Sequence, residues 1–172
     1  MVLIFSNADM PYDTTIQNEQ AYASSLGVDA VEDKFYGLYN AILNHWFTTS
    51  HGYIVEAQVL GRGGKPEYFV IRHANSTRNP VMVVEIKRPN SLHTGGKDIA
   101  VQEIQQYMHR RFRETSLDVM YGLAGVGLCW SVWKMERGSA TAVNVQQWRG
   151  SVASDVSHRR FERVYDMVHE LM

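Results

Sequence analysis

The sequence predicts an α/β domain, a central mixed sheet flanked by helices, and three observations carry that reading. Apolar residues recur at helical spacing in three separate stretches, strand-like runs cluster between them, and short links rich in glycine or proline join neighbouring runs. The order that emerges is helix, three strands, helix, two strands, helix, or α-β-β-β-α-β-β-α. A chain of 172 residues is long enough to bury a core, and no repeat, low-complexity tract or long linker divides it. A single domain over residues 1–172 follows, with 1–13 as an irregular lead-in.

Residues 1–13 lack periodicity and hold Asn7, Asp9, Pro11 and Asp13, the composition of a loop. Thr14 or Thr15 can cap a first helical stretch, which Gly27 interrupts before a clearer helix from about Asp29 to Phe47. There Val31, Phe35, Leu38, Ile42 and Trp46 make one apolar stripe, and Glu32 and Asp33 complement the dipole of the first turn. Tyr53–Leu60 and Tyr68–His73 read as a hairpin turned by the glycines and proline of Gly61–Pro66. A turn at Asn75–Pro80 then precedes Val81–Lys87, so the three strands should form a meander.

A polar loop, Asn90–Lys97, leads to a helix from about Asp98, its expected N-cap, to Arg113. Val101, Ile104, Met108 and Phe112 form its stripe, while Gln102, Gln105, Gln106 and His109 take much of the remaining surface. A second β region, Met120–Met135, contains Gly122, Gly125 and Gly127, which let a helix approach closely; Thr141–Gln147 follows a turn at Arg137–Ser139. Trp130, Trp133 and Trp148 read as core or sheet-surface fillers. The last helix, about Ser154 to Leu171, sets Val156, Phe161, Val164, Val168 and Leu171 on its apolar face and Arg159, Arg160 and Arg163 on its solvated one.

Composition narrows the classes of function. Hydrophobic content of 45% with 20% charged residues is that of an ordinary soluble domain. Cys129 is the single cysteine, so an internal disulfide and a multi-thiolate zinc site are both excluded, and a reducing intracellular compartment, cytoplasmic or nuclear, is expected. The apolar run Met1–Phe5 is too short for a membrane span, and no membrane partner is expected. A net charge of −1 gives no global attraction to phosphate backbones, so nucleic-acid contact must come from local basic patches. The seven histidines lack paired helical or finger-like spacing, and Gly61–Gly64 lacks the lysine and helix of a phosphate-binding loop.

Val81–Pro89 carries the clearest chemistry. Its apolar run reads as a strand buried on both faces, yet it delivers Glu85 and Lys87, which share a face while Ile86 points the other way. A buried carboxylate and ammonium cost several kcal/mol unless partnered, which places the pair at the open end of a cleft. Pro89, which cannot donate to a ladder, ends the strand.

With Pro66-Glu67 opening the preceding strand, Glu85-Ile86-Lys87 on this one and a glutamine-rich helix next, the chain resembles the PD-(D/E)XK, or restriction-endonuclease-like, nuclease superfamily. The resemblance covers about Asp29 to Met172 and is strongest over Lys65–Met108. It implies a metal-dependent nuclease in which Glu67, Glu85 and the main-chain carbonyl of Ile86 hold Mg²⁺ or Mn²⁺. Lys87 then orients or activates the attacking water, and Glu67, Glu85 and Lys87 are the implied catalytic residues. Glu32, Gln102 and Gln106 are possible accessory residues. DNA is the favoured partner over RNA. Most of the superfamily has aspartate where this chain has Glu67, and one branch has glutamine where Glu103 stands four residues before Tyr107. Two hard carboxylates are chemically sufficient for Mg²⁺, which keeps several of its waters. The alternative readings are a catalytically degenerate nuclease-fold module that binds nucleic acid or a protein, and a homo-oligomeric structural protein.

Overall fold

The computed structural model describes residues 11–57 and 67–171. Helices α1 (Thr14–Ser25) and α2 (Tyr36–Trp46) come first, α2 being entered through a 3-10 turn at Glu32–Phe35. Strands β1 (Tyr53–Ala57), β2 (Tyr68–Ala74) and β3 (Thr77–Lys87) follow, then α3 (Gly96–Arg111), strands β4 (Val119–Val126), β5 (Cys129–Glu136) and β6 (Val143–Arg149), and α4 (Asp155–His169). The six strands form one sheet in sequence order, antiparallel at every step except β3–β4, which is parallel. The mixed sheet flanked by helices is therefore present, and β1–β2–β3 is the expected meander.

The order of elements departs from expectation at both ends. The expected interruption at Gly27 makes two helices where the element order counted one: Leu26 is extended, residues 27–31 hold no helix, and α2 starts at Tyr36 rather than at about Asp29. The second β region is three strands rather than two. Val126 pairs with Cys129 across the two-residue turn Gly127-Leu128, and Gly127, at φ +56°, takes the left-handed conformation that such a tight hairpin requires. Between β2 and β3 the turn is only Asn75-Ser76, both at positive φ, so β3 begins at Thr77 and takes in Pro80. A proline within an inner strand is tolerated here because Val70 pairs with Met82 and Ile71 with Pro80, leaving Val81 as a bulge.

Capping also differs in detail. Asp13, rather than either threonine, caps α1 by accepting from the Ile16 N–H at 3.0 Å. Gly95, at φ +77°, opens α3, and Asp98 lies inside its first turn, where its charge still suits the dipole. Val31 and Val156, placed on apolar stripes by spacing, are exposed. Residues 1–10 of the lead-in and the turn Gly61–Pro66 lie outside the described residues.

Two cores sandwich the sheet. Leu38, Tyr39, Ile42, Met82, Val84, Ile86, Trp130 and Phe161 pack with α1, α2 and α4 on one face. Phe69, Val83, Ile104, Met108 and Met120 pack with α3 on the other. Trp130 is wholly buried, stacks on Phe161 with centroids 4.1 Å apart and donates its Nε1–H to the Ser157 hydroxyl at 2.9 Å. Among the described residues no helix is long and apolar enough to cross a membrane.

The β4 glycines admit helices as expected. A Cβ at Gly122 would meet the Ile104 Cδ1 at 2.8 Å, whereas one at Gly125 would meet the Tyr39 hydroxyl at 2.7 Å and its ring at 2.8 Å. Tyr39 cannot yield, since it is fully buried with its hydroxyl donating to the Gly127 and Cys129 carbonyls. Gly125→Ala should therefore destabilise the protein by about 1–3 kcal/mol, the usual penalty for overpacking, and by more than Gly122→Ala. Urea unfolding of both variants checks the ranking.

Candidate functional site

The parallel step in the sheet sets up the site. β3 and β4 run together, so the chain must cross back between them, and α3 makes that crossing over one face. Alternation along β3 turns Val83, Glu85 and Lys87 to the α3 face and Val84 and Ile86 to the other. Glu85 pairs with Ala124, whose short side chain leaves room beside the carboxylate. The strand stops after Lys87, and Pro89 opens a 3-10 turn, Pro89–His93.

Three charges meet where β3 ends under α3. Lys87 Nζ lies 2.6 Å from Glu85 Oε1 and 2.6 Å from Glu103 Oε2. Glu85 is only 3% exposed, and its second oxygen, Oε2, is buried with no hydrogen-bond partner. Burial raises the Glu85 pKa to about 8, with the adjacent Glu103 adding to the rise and Lys87 opposing it. For Lys87, burial works toward a lower value, but the hydrogen bonds and charges of Glu103 and Glu85 outweigh it and hold the ammonium above its ordinary range. Tyr107, one turn beyond Glu103, is buried; burial first and then the two carboxylates push its phenol up to about 12.

Glu67, immediately before β2, reaches the same neighbourhood. Its N–H donates to the Val84 carbonyl at 2.9 Å, fixing it beside the end of β3. The Tyr36 hydroxyl interacts with its carboxylate. Burial raises its pKa; Glu32 and Glu103 add to that rise, while Tyr36 and Lys87 counter it. Glu32, on the 3-10 turn that leads into α2, thus contributes charge from a third element.

Glu32, Glu67, Glu85 and Lys87, singled out in the sequence, thus share one electrostatic neighbourhood with Glu103. Ile86 pairs with Gly125 in the ladder, its side chain wholly in the core. Gln102 and Gln106 lie on the exposed side of α3, and Gln105 accepts from the Ala142 N–H at 2.9 Å, so the glutamines are not what α3 turns to Lys87. Glu103 is. Its four-residue spacing from Tyr107, flanked by the buried Ile104 and Met108, was the available signal that it faces inward.

The donor set suits a hard divalent cation. Carboxylate oxygens are the ligands Mg²⁺ and Mn²⁺ prefer, and Glu85 Oε2 is an orphaned buried oxygen. Among the described residues, no three His, Cys, Asp or Glu side chains already stand at metal-ligating spacing. A cation would therefore require local rearrangement, with Lys87 releasing Glu85 Oε1 the simplest change.

No family model, curated protein or solved structure matches this chain.

Glu85 ties stability to pH in a direction that can be worked out. Its folded pKa is above its unfolded one, so between the two the unfolded chain binds fewer protons, and stability falls as pH rises through that window. The slope should reach at most about 1.4 kcal/mol per pH unit for one proton. In metal-free buffer the wild type should lose stability from pH 5 to 8.5, and Glu85→Gln should flatten that loss. Chemical denaturation at stepped pH measures both.

Proposed function

We propose that this protein is a metal-dependent nuclease with a restriction-endonuclease-like core, hydrolysing phosphodiester bonds with DNA preferred over RNA. The observation that carries this reading is the buried Glu85–Lys87 pair at the end of an inner strand, with Glu67 and Glu103 brought beside it from two other elements. A folding chain gains little from such a cluster, since replacing a buried ion pair by apolar residues is often neutral or stabilising. Glu85 and Glu67, with the Ile86 carbonyl, would hold Mg²⁺ or Mn²⁺. Such an ion neutralises phosphate charge and lowers the pKa of bound water.

The chain's own residues have separate tasks. Lys87 places a fixed positive charge beside the position of the reacting phosphate, and Glu103 holds that ammonium in place through its 2.6 Å contact. Because both carboxylates keep Lys87 charged, it serves as an electrostatic and hydrogen-bonding group rather than as a neutral base. Tyr36 orients the Glu67 carboxylate.

A second reading, the degenerate nuclease-fold module, has one observation in its favour. The Lys87–Glu85 ion pair occupies an oxygen that a metal would use. Two variants separate the readings. Glu85→Ala should abolish Mn²⁺ binding and plasmid nicking together, whereas Lys87→Ala should keep Mn²⁺ binding and lower nicking by about 10²-fold or more, the scale of losing one electrostatic group. Calorimetry with Mn²⁺ and a nicking assay read these out. Wild type that neither binds Mn²⁺ nor cuts DNA or RNA leaves the module.

Binding to nucleic acid should also respond to salt. With a net charge of −1, attraction depends on local arginines, so affinity for duplex DNA should be modest and fall steeply between 50 and 200 mM salt, roughly as the counterion-release relation requires. Anisotropy titrations at four salt concentrations give the slope, and a flat response points to an apolar protein partner instead.

A further inference from the structure

On the face of the sheet opposite α3, helices α2 and α4 bring together two histidines that are far apart in the sequence. His45 lies in the last turn of α2 and His158 in the first turn of α4. Their ring centroids are 5.8 Å apart and their planes cross at 63°. His45 is exposed and His158 half-buried, so a small ligand in solvent can reach both rings.

The surroundings hold these rings without using their nitrogens. Tyr12 stands edge-on to His45 and His158, at 5.0 and 4.6 Å between centroids, and Trp46 flanks them at 5.3 and 4.8 Å. Tyr12 and Trp46 satisfy each other, the indole Nε1–H donating to the phenol oxygen at 3.0 Å. Among the described residues, neither imidazole takes part in a hydrogen bond. A neutral imidazole has one nitrogen with a free lone pair, so each ring keeps a ligand to give. Asp13 acts electrostatically on His45, and Asp155, Glu162 and Arg159 act on His158, so three carboxylates against one guanidinium make the setting negative.

Two imidazoles bound to one tetrahedral ion, each at roughly 2.0–2.1 Å from nitrogen to metal, hold their ring centroids about 5 Å apart. The observed 5.8 Å departs from that by about 1 Å or less, which rotation of the exposed His45 side chain closes. Imidazole suits Zn²⁺, Ni²⁺ and Cu²⁺, whereas Mg²⁺ and Mn²⁺ prefer carboxylate oxygen, so this pair and the Glu85 cluster select different ions. We propose that His45 and His158 form a binding site for one such borderline divalent ion. Among the described residues no third His, Cys, Asp or Glu stands with them at ligating spacing, so water completes the coordination. Because the two ligands come from different helices, the site exists only in the folded chain, and the ion ties the end of α2 to the start of α4 and stabilises the fold. The site is independent of the nuclease reading.

The test uses the full chain with excess Mg²⁺ present to occupy oxygen-only sites, and Zn²⁺ as the probe in calorimetry and thermal melts. Wild type should bind Zn²⁺ and melt at a higher temperature with it. His45→Gln and His158→Gln should each weaken binding at least about tenfold, the lower end of what losing even an outer-shell partner costs a metal site, and should remove the rise in melting temperature. His93→Gln, at an exposed histidine on the turn before α3, should change neither. Cu²⁺ on the wild type reads the ligands directly, whether or not the variants fold: its electron paramagnetic resonance spectrum should show two imidazole nitrogens. Absence of Zn²⁺ binding, wild-type affinity in either variant, or a Cu²⁺ spectrum with one nitrogen or none overturns the proposal.

Discussion

Glu85 carries a carboxylate into a strand whose neighbours Val83, Val84 and Ile86 have no exposure at all, and much of the surrounding arrangement answers that charge. Withdrawing a carboxylate from water costs several kcal/mol, and a single ammonium repays it only with good geometry. Lys87 supplies the ammonium from two residues along the same strand, where alternation guarantees a shared face. Its own desolvation is then offset from α3 by Glu103. The parallel β3–β4 step is what brings α3 over this strand end, so topology and electrostatics are coupled here.

The fold was legible wherever a residue pattern has one physical solution. Continuous burial of Val81–Val84 demanded an inner strand, and Phe35, Leu38 and Ile42 demanded a helix face. Boundaries were harder, since they turn on single backbone conformations. Gly127 as a hairpin turn looks in sequence like another small residue in a strand rich in them, so β4 and β5 read as one region. The Val81 bulge leaves no mark in a one-dimensional pattern, because Pro80 signals a turn as readily as a tolerated break in the ladder.

At the site, sequence reasoning reached the residues on one strand more easily than their partners elsewhere. Glu85 and Lys87 declare each other by spacing, and Glu67 follows from the strand before. Glu103 was visible only as a departure from a glutamine pattern, and choosing between it and Gln102 or Gln106 needed the rotation of α3 about its axis, which Ile104 and Met108 set by packing on Gly122. The histidines give the converse case. Spacing showed no pairing, yet His45 on α2 and His158 on α4 come to 5.8 Å between ring centroids, each edge-on to Tyr12. Partial burial holds both below the ordinary histidine value, which favours the neutral ring at each.

The charge balance of the cluster bears on what it can accept. Three carboxylates, Glu67, Glu85 and Glu103, act on the ammonium of Lys87 and Glu32 adds its charge beside Glu67, leaving three negative charges uncompensated when all are ionised. A phosphodiester approaching that surface would be repelled before Lys87 could attract it. Burial is the main cause of the raised pKa values of Glu67 and Glu85, and the neighbouring carboxylates add to it. A divalent cation would relieve the imbalance by two charges, with the unpartnered Glu85 Oε2 as an available oxygen. An anion therefore gains access to this cluster only once protons or a cation have offset its charge.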